Sequence, residues 1–391
     1  MRLNHLKLVN FRNYDSLDIE TKKRVIILVG DNAQGKTNFL EAVYLLAITK
    51  SFRLRSDADL VGEKDDFVRI EAGVISQNRN SKIEVVLKKQ ENRGNIQKVI
   101  KLNGQMAPVR AILGAFLAVL FCPEDINLIK AVPGARRRFL DIVACKVNST
   151  YCETLMGYNK ILKNRNQVLL RINRGIGNHE ELIFWNNELT QKGSFIIKFR
   201  QNMAQRLASL TKIYYNKIAR GVGTAPLPEL NLHYLPSFHV SPKLDEEAIS
   251  LRFRGELLKK EEVEIARQQT LSGPHRDDFT FILGRKNIVF EGSRGEFRSA
   301  ILSLKLSELD FLKENLGERP VLLLDDVFSE LDRERKRRIA ALVKNQQVFI
   351  TTTDLKEIPP DLRREALILE VEAGKIEKIK TQSVKQKRNP K

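Results

Sequence analysis

The chain has 391 residues, enough to bury a sizeable hydrophobic core and to form two lobes. Its 67 lysine and arginine residues against 48 acidic residues give a net charge of +19, which indicates a polyanionic partner. The three cysteines, Cys122, Cys145 and Cys152, exclude a disulfide framework and lack metal-ligand spacing. No stretch has the apolar length of a membrane span or the core of a signal peptide, so we expect a cytoplasmic protein with no membrane partner.

The first third of the chain predicts two kinds of sheet. An alternating strand over residues 3–11 precedes a wholly aliphatic strand at Val25–Val29. Three further alternating segments cover residues 67–74, 82–87 and 97–102, and the last runs into an Asn103-Gly104 turn. Period-2 alternation with an Asn-Gly turn is typical of antiparallel hairpins, so an antiparallel subdomain is expected beside a parallel sheet.

The aliphatic strand leads directly into a phosphate-binding pattern, G-x-x-x-x-G-K-T, and an amphipathic helix follows. The pattern consists of Gly30, Asp31, Asn32, Ala33, Gln34, Gly35, Lys36 and Thr37. Glycines let backbone N–H groups close around phosphates, and the helix N-terminus adds a favourable field. Lys36 is expected to reach the β- and γ-phosphates, and the Thr37 hydroxyl to hold Mg²⁺. The alternative without a nucleotide is a Gly-rich turn capped by a surface lysine. The strand before the pattern and the helix after it favour a nucleotide site.

The middle of the chain has a different pattern. From about residue 135 to 220 it is helical, charged and long, with an interruption near residues 174–178. This predicts two helices that fold back on each other as an arm. An irregular segment rich in proline and glycine and a further helix over residues 244–267 follow. The arm is therefore expected to be an insertion within the nucleotide-binding lobe.

After the arm, a turn over residues 270–279 feeds a strand pair through residues 281–290, and then a long helix opens at Ser293, Gly295 and Glu296. The first N–H groups of a helix lack partners within it, so this start is a potential second anion site. One nucleotide needs only one phosphate-binding loop. A second anion site is therefore explained only if it contacts the γ-phosphate of a nucleotide held by another subunit. Taken alone, this short motif is usually a helix cap.

A second aliphatic strand, Val321–Leu324, ends abruptly in Asp325 and Asp326. Such a run is typical of a buried parallel strand, and functional groups gather at its carboxyl end. We expect Asp325 to hold Mg²⁺ and Asp326 to orient or activate the attacking water, which makes Lys36, Asp325 and Asp326 the predicted catalytic residues. Two acids that are merely solvated at a strand end are the alternative.

In this order the motifs resemble the ABC-type ATPase heads of the SMC group and, more narrowly, the RecF family of bacterial recombination-repair proteins. The stretches that carry the likeness are residues 10–14, 30–42, 121–125, 136–141, 165–166, 273–278 and 324–332. The resemblance implies an α/β, ABC-type P-loop ATPase head, with a mixed sheet and an antiparallel subdomain, and an inserted α-helical arm lobe. The expected parts are residues 1–134 and 269–374 for the two halves of the head, 135–268 for the arm and 375–391 for a basic tail.

The resemblance also implies an ATP-dependent homodimer with two composite sites that use ATP and Mg²⁺. Ser293, Gly295 and Glu296 of one subunit would meet ATP on the phosphate loop of the other, and Asp332 would lie in the loop linking the sites. The dimer is expected to clamp double-stranded or gapped DNA, to act with RecR, RecO and RecA in repair, replication restart and the SOS response, and to hydrolyse ATP weakly as a DNA-dependent switch. Candidate DNA contacts are Arg53, Arg55, Arg136, Arg137 and Arg138, although the last three could equally brace the arm against carboxylates.

Several departures from ABC heads lead us to expect slow hydrolysis. No glutamine occurs at residues 123–125, which leaves open whether Glu124 or Asp125 takes its place. Residues 351–354, Thr-Thr-Thr-Asp, stand where a histidine is expected, Glu296 replaces a glutamine, and Asp326 replaces a glutamate. Two alternative functions remain: a nucleic-acid-processing ATPase of the overcoming-lysogenisation nuclease type, and an ABC ATPase subunit of a transporter.

Overall fold

The computed structural model describes residues 1–54, 56–63, 65–90, 96–112, 114–130, 132–219 and 228–379. The strands in these ranges are β1 (Arg2–Phe11), β2 (Tyr14–Glu20), β3 (Val25–Val29), β4 (Phe67–Ser76), β5 (Arg79–Lys89), β6 (Ile96–Leu102), β7 (Gln105–Met106), β8 (Ala118–Phe121), β9 (Leu230–Leu235), β10 (Asp278–Leu283), β11 (Lys286–Asn287), β12 (Val321–Leu324), β13 (Val348–Thr352), β14 (Leu367–Glu372) and β15 (Lys375–Lys378). The helices are α1 (Lys36–Ile48), α2 (Val109–Ile112), α3 (Asn127–Lys130), α4 (Pro133–Val147), α5 (Ser149–Asn173), α6 (His179–Ala219), α7 (Glu246–Lys259), α8 (Glu261–Arg267), α9 (Ile288–Glu291), α10 (Arg294–Leu316), α11 (Arg333–Leu342) and α12 (Pro360–Glu365). None of these helices combines the length and the apolarity needed to cross a membrane.

The described residues form two compact units. The first comprises residues 1–125, 217–219 and those from 308 onward, and the second comprises residues between 126 and 216 and between 220 and 307. The first unit contains an antiparallel sheet in the order β2-β1-β4-β5-β6-β7. Strands β4, β5 and β6 pair in antiparallel register, so the predicted hairpins are confirmed.

A second sheet in the first unit has the order β15-β14-β3-β13-β12-β8, and all its neighbours are parallel except the edge pair β14–β15. All four residues of β12 are buried, as the aliphatic run predicts. Because parallel strands end at one edge of a sheet, β3, β13 and β12 deliver the phosphate loop, the threonine segment and the two acids to the same place.

A buried glutamine amide joins the two sheets of the first unit. The Oε1 atom of Gln347 accepts a hydrogen bond from the backbone N–H of Leu3 at 2.7 Å. Its Nε2 atom donates to the carbonyl oxygens of Leu3 and Thr21, at 2.8 and 2.7 Å. These bonds join the backbone of β1 and of the segment after β2 to the residue that precedes β13, so they help to hold the antiparallel sheet against the parallel one.

The second unit contains the helices of the predicted arm, with differences in detail. The break between α5 and α6 falls at the predicted place, but a further break at Asn148 makes three helices where two were expected. The Asn148 side chain accepts a hydrogen bond from the N–H of Tyr151 at 2.7 Å, so it caps α5 and starts a new helix. The single helix predicted over residues 244–267 is likewise two, α7 and α8, which meet at Lys260.

The second unit also reaches beyond the predicted arm, residues 135–268, at both ends. The segment predicted to be irregular contains β9, which pairs along its whole length with β10. That pairing places residues 278–283 with the arm helices in the second unit, although sequence reasoning assigned them to the head. The predicted strand pair through residues 281–290 is shorter than expected, because residues 288–291 form α9.

The basic tail was predicted to start at residue 375, and this boundary is wrong. Lys375–Lys378 form β15, which continues the parallel sheet by pairing with β14 across a turn at Ala373 and Gly374. The turn residues both have positive φ, 47° and 77°, as a tight hairpin requires. The tail lysines and arginine at positions 385, 387, 388 and 391 lie outside the described residues.

Candidate nucleotide site

The phosphate loop lies between β3 and α1 and is fixed from one side by the turn after β1. Asn13 Nδ2 donates to the carbonyl oxygen of Gln34 at 2.8 Å, and Tyr14 OH donates to that of Gly35 at 3.0 Å. Gly35 has φ of 119°, and a Cβ there would lie 2.7 Å from the Asn13 side chain. The second glycine of the pattern is therefore required both for its backbone angle and for the space it leaves.

The hairpin β14–β15 fixes the loop from the other side. The backbone N–H of Ala373 donates to Gln34 Oε1 at 2.6 Å, and that of Gly374 donates to the Gln34 carbonyl oxygen at 3.0 Å. A Cβ on Gly30 would lie 2.2 Å from the carbonyl oxygen of Val371, so the first glycine of the pattern permits this close approach. A cradle held on both sides loses little conformational freedom when a phosphate binds.

Lys36 bends back over the loop that precedes it. Its Nζ atom donates to the carbonyl oxygens of Gly30 and Asp31 at 2.7 and 2.6 Å, and the side chain is 8% exposed. Burial lowers the pKa of Lys36, while the neighbouring carboxylates oppose the shift. A desolvated ammonium held among carbonyl oxygens can exchange them for the stronger charge of phosphate oxygens.

Thr37 and Asp325 meet across the sheet edge, as the two motifs predict. The Thr37 hydroxyl lies 3.0 and 2.9 Å from the two carboxylate oxygens of Asp325. Burial raises the pKa of Asp325, although hydrogen bonds from Thr351 and Thr37 lower it, and the charge of Glu124 raises it further. Hydroxyl and carboxylate oxygens are ligands that Mg²⁺ accepts, so this pair fits that ion, whose charge would favour the ionised carboxylate.

Asp326 has the unusual backbone of a functional position. Its φ is 51°, in the left-handed region, and its backbone N–H donates to Thr351 Oγ1 at 2.9 Å. Among the described residues nothing donates a hydrogen bond to its buried Oδ1 atom. A buried carboxylate oxygen without a donor is suited to accept a hydrogen bond from water.

The structure distinguishes the two acids that the sequence left open. Asp125 Oδ2 accepts a hydrogen bond from the backbone N–H of Cys122 at 2.9 Å, so Asp125 stabilises its own turn. Glu124 is exposed, yet its charge contributes to the raised pKa of Asp325. Glu124 is therefore the acid whose charge acts on Asp325, and its replacement of the glutamine of ABC heads stays a prediction.

The residues of the second anion site form a capping box in the second unit. The Ser293 N–H donates to Glu296 Oε2 at 2.7 Å, and the Glu296 N–H donates to Ser293 Oγ at 3.3 Å. Gly295 accepts a bond from Ser299 Oγ one turn later, at 2.8 Å. The helix-cap interpretation thus describes these contacts, and a contact with a second subunit's nucleotide stays a prediction.

Asp332 begins α11 in the first unit. Its carboxylate accepts hydrogen bonds from the N–H and the guanidinium of Arg335, at 2.8 and 2.9 Å. Burial acts to raise the pKa of Asp332, but these bonds outweigh it and hold the pKa below its usual range. Asp332 is an ionised N-cap, and its predicted place at a dimer interface remains a prediction.

Two of the arginines considered as DNA contacts are braces. Arg136 is 6% exposed and forms a fork on Asp278, with N···O distances of 2.6 and 2.8 Å. Arg137 donates to the carbonyl oxygen of Asp277 at 2.8 Å. Burial, followed by the charge of Arg200, lowers the pKa of Arg137. These contacts fit the bracing interpretation, and a DNA contact by either arginine stays a prediction.

The remaining arginines differ from that pair. Arg138 is exposed on α4. Arg53 is exposed as well and donates to Asn38 Oδ1 at 3.1 Å, close to the phosphate loop. Arg55 lies outside the described residues. Arg53 and Arg138 are the predicted DNA contacts that the structure leaves accessible.

Two side chains of the site were not singled out from sequence. Thr351 is buried and contacts both acids, and the charge of Glu124 acts on Asp325, yet the sequence marked their positions only as departures from the ABC pattern. The available signal was a pair of threonines at the carboxyl end of an otherwise aliphatic strand, where an apolar residue is expected.

Comparison with known proteins identifies the family. The family model described as the RecF/RecN/SMC N terminal domain matches residues 2–359. A DNA replication and repair protein RecF from Clostridium kluyveri is 36% identical over 383 residues, which cover 97% of this chain and 100% of that protein. The chain belongs to the RecF family of DNA replication and repair proteins. The RecF protein of Bacillus subtilis is 34% identical over 380 residues, covering 97% of this chain and all of its own.

Solved structures agree with this assignment. A structure of the recombination mediator protein RecF with ATP, in the RecFOR pathway, has a TM-score of 0.88, 34% identity and 97% coverage of both chains. An Smc head domain from Pyrococcus furiosus has a TM-score of 0.52 at 15% identity, with 98% of each chain covered, which shows the fold alone. The predicted ABC-type ATPase head of the RecF and SMC group is confirmed.

Proposed function

We propose that this protein is an ATP-dependent DNA-binding protein of recombinational repair and replication restart that acts in the cytoplasm as a homodimer. The observation that carries the proposal is the contact between Thr37 and Asp325, in a chain of the RecF family. The phosphate-loop hydroxyl and the strand-end carboxylate are the pair with which P-loop ATPases hold Mg²⁺.

In this proposal the residues of the first unit bind and orient ATP. The loop from Gly30 to Thr37 takes the phosphates, and Lys36 moves its ammonium from carbonyl to phosphate oxygens. Thr37 and Asp325 would hold Mg²⁺, which supplies charge neutralisation to the phosphates. Asp326 offers Oδ1 to the attacking water and accepts its proton.

Weak hydrolysis follows from the same side chains. Asp326 is one methylene shorter than the glutamate usual at this position, so its carboxylate reaches less far toward the attacking water. Glu124 adds a negative charge where these heads usually carry a neutral glutamine. We therefore infer a DNA-dependent ATPase that works as a switch and releases DNA after turnover.

ATP would control dimerisation by mass action. If Ser293, Gly295 and Glu296 of one subunit complete the site on the other, ATP binds the dimer better than the monomer and shifts the equilibrium toward dimer. Two heads with a net charge of +19 each would then close on double-stranded or gapped DNA. RecR and RecO are the proposed partners, and RecA loading and SOS induction the proposed outcome.

The first test is the oligomeric state of a Lys36→Met variant. We expect the wild type to sediment as a dimer with ATP and as a monomer with ADP or without nucleotide. Lys36→Met removes the positive charge that the loop offers to the phosphates, so it should stay monomeric with ATP. Lys50→Met is the matched control, because it makes the same change at an exposed lysine two residues beyond the end of the same helix.

Three outcomes would contradict the proposal. A wild type with the same mass in all three nucleotide states would contradict ATP-driven dimerisation. A Lys36→Met dimer with ATP would contradict the role of the phosphate loop. A wild-type dimer that retains no duplex DNA at low salt would contradict the clamp and direct attention to a protein partner.

A further inference from the structure

Thr351 lies at the centre of the candidate site without a role in the mechanism above. It belongs to β13, which lies between β3, the strand of the phosphate loop, and β12, the strand of the acids. The register pairs Leu324 with Ile350, so Thr351 stands beside Asp325. The side chain is 0% exposed.

The Thr351 hydroxyl contacts both acids. It donates its proton to Asp325 Oδ1 at 2.6 Å and accepts the backbone N–H of Asp326 at 2.9 Å. A hydroxyl has one proton and two acceptor lone pairs, so these two bonds use its donor and one acceptor. The orientation of one carboxylate and the backbone of the next residue therefore depend on a single oxygen atom.

Two hydroxyls from different elements contact the carboxylate of Asp325. Thr37, in the first turn of α1, lies 3.0 and 2.9 Å from its two oxygens, and Thr351 donates to Oδ1 from the neighbouring strand β13. Thr37 belongs to the phosphate loop and is expected to turn toward Mg²⁺ when ATP binds. Thr351 belongs to a buried strand and has no such second role, so its bond can persist in both states.

Asp326 depends on Thr351 for a different reason. Its left-handed backbone, with φ of 51°, is unfavourable for a residue with a side chain. The hydrogen bond from its N–H to Thr351 lies immediately before that strained angle. Loss of the bond would free the Asp326 backbone to relax and move Oδ1 away from the attacking water.

We propose that Thr351 is the positioning residue of the acid pair: its hydroxyl orients Asp325 for Mg²⁺ and holds Asp326 in the strained conformation that serves hydrolysis. This inference rests on the proposed ATPase function and assigns a role at the same site. Thr351 contacts neither nucleotide nor metal in this proposal and acts only through the two acids.

The neighbouring Thr352 provides a matched control. It is also 0% exposed and ends the same strand, but its hydroxyl donates to the carbonyl oxygen of Asp354 at 2.9 Å. Thr→Val at either position removes one buried hydroxyl and keeps the β-branched shape that a strand favours. Only the change at position 351 removes a contact with the acids.

The experiment compares Thr351→Val, Thr351→Ser and Thr352→Val with the wild type. Steady-state hydrolysis gives kcat and KM, and fluorescence of a mant-labelled ATP gives the affinity with EDTA and with Mg²⁺. For Thr351→Val we expect kcat to fall roughly tenfold or more, since loss of a partner that orients a metal-binding side chain typically costs about 10- to 100-fold in activity. Affinity in EDTA should stay within about twofold of the wild type, and the gain in affinity on adding Mg²⁺ should shrink.

The controls separate positioning from packing. Thr351→Ser keeps the hydroxyl and should restore most of kcat and of the Mg²⁺ response, and Thr352→Val should resemble the wild type in both. A Thr351→Val protein with wild-type kcat and Mg²⁺ response would overturn the inference, as would a Thr351→Ser protein as impaired as Thr351→Val. If the wild type itself neither binds nor hydrolyses ATP, the proposed function fails instead.

Discussion

Glu296 places a carboxylate at the helix start that we propose for the γ-phosphate of a partner's ATP. Its bond to the Ser293 N–H satisfies one of the free donors at the N-terminus of α10. A carboxylate and a phosphate at one helix terminus repel each other, so the residue that stabilises the free helix also opposes dimerisation. In the proposed dimer this residue would therefore raise the ATP concentration that the switch requires.

Removal of that charge should make dimerisation easier. Glu296→Gln keeps an acceptor for the Ser293 N–H, so we expect the ATP concentration for half-maximal dimer to fall roughly two- to fivefold, the effect of one charge at a helix terminus. Sedimentation across an ATP titration measures it. Glu291→Gln, an exposed acid outside the capping box, is the control and should leave the midpoint unchanged. A weaker dimer in Glu296→Gln would mean that the carboxylate itself binds the partner.

At the scale of elements, the turn between α8 and β10 organises the second unit. Arg200 on α6 is 1% exposed and donates to the carbonyl oxygen of Pro274 at 2.6 Å. Asp277 accepts the N–H of Ser237 at 2.7 Å and the hydroxyl of Tyr234. The motif at residues 273–278 is thus the junction between the arm helices and the small sheet, because its side chains satisfy buried groups from several elements.

His275 in this turn is held as a neutral ring. Its Nε2 atom lies 3.1 Å from the carbonyl oxygen of Thr270, which can only accept, so Nε2 carries the proton. Nδ1 then accepts the hydroxyl of Tyr158 at 2.6 Å. Burial lowers the pKa of His275 from 6.5 to about 4. Both ring nitrogens are used in the neutral form, so a second proton would require the Tyr158 hydroxyl to reverse its hydrogen bond in a buried site.

This histidine should make the protein less stable in mild acid. Between pH 6.5 and about 4 the unfolded chain binds a proton that the folded chain does not, so the free energy of unfolding falls as pH falls. The slope is about 1.4 kcal/mol per pH unit for one proton. Urea unfolding from neutral pH to about pH 5 should show a shallower decline for His275→Gln than for the wild type.

The control for this measurement is His239→Gln, the same substitution at an exposed histidine. It should keep the wild-type dependence of stability on pH. Equal slopes for the wild type and His275→Gln would show that the buried ring is protonated in the folded state, contrary to its hydrogen bonds.

At the scale of the whole molecule, the proposed attraction to DNA rests on the net charge of +19, and exposed arginines are the proposed points of contact. Arg136 and Arg137 are used internally, so their charges support the fold of the second unit. Arg138, next to them on α4, is exposed. One run of three arginines therefore combines a structural pair with one candidate contact.

Reversal of the Arg138 charge should weaken DNA binding in a salt-dependent way. A plot of log K, the DNA-binding constant, against log salt has a negative slope. If Arg138 neutralises one phosphate, Arg138→Glu should make this slope less negative by about one for the ATP-bound protein. Arg254→Glu makes the same change of net charge at an exposed position on α7 and should leave the slope unchanged. Equal effects of the two variants would indicate attraction by net charge alone. A loss of thermal stability without a change in slope would make Arg138 a third brace.

Most of the head was predictable because its signals are local. The phosphate loop requires a strand, a fixed glycine spacing and a helix within about one βα unit, and all three occur between Val25 and Ile48. The hairpins were predictable from the alternation of apolar and polar residues along the strands and from an Asn-Gly turn. The third arm helix was missed because Asn148 interrupts the helical pattern for a single residue, and β9 because prolines flank a short strand.

By itself the sequence determined the chemistry of the site: a phosphate loop, two acids at a strand end and a capped helix start, each encoded in a few consecutive residues. Only the tertiary structure decided how these parts are used. Arg136 is a brace because β10 brings Asp278 to it, 142 residues away in the chain. Thr351 reaches Asp325 only because β13 pairs with β12. Contacts between distant residues depend on strand order and register, which no local pattern of side chains specifies.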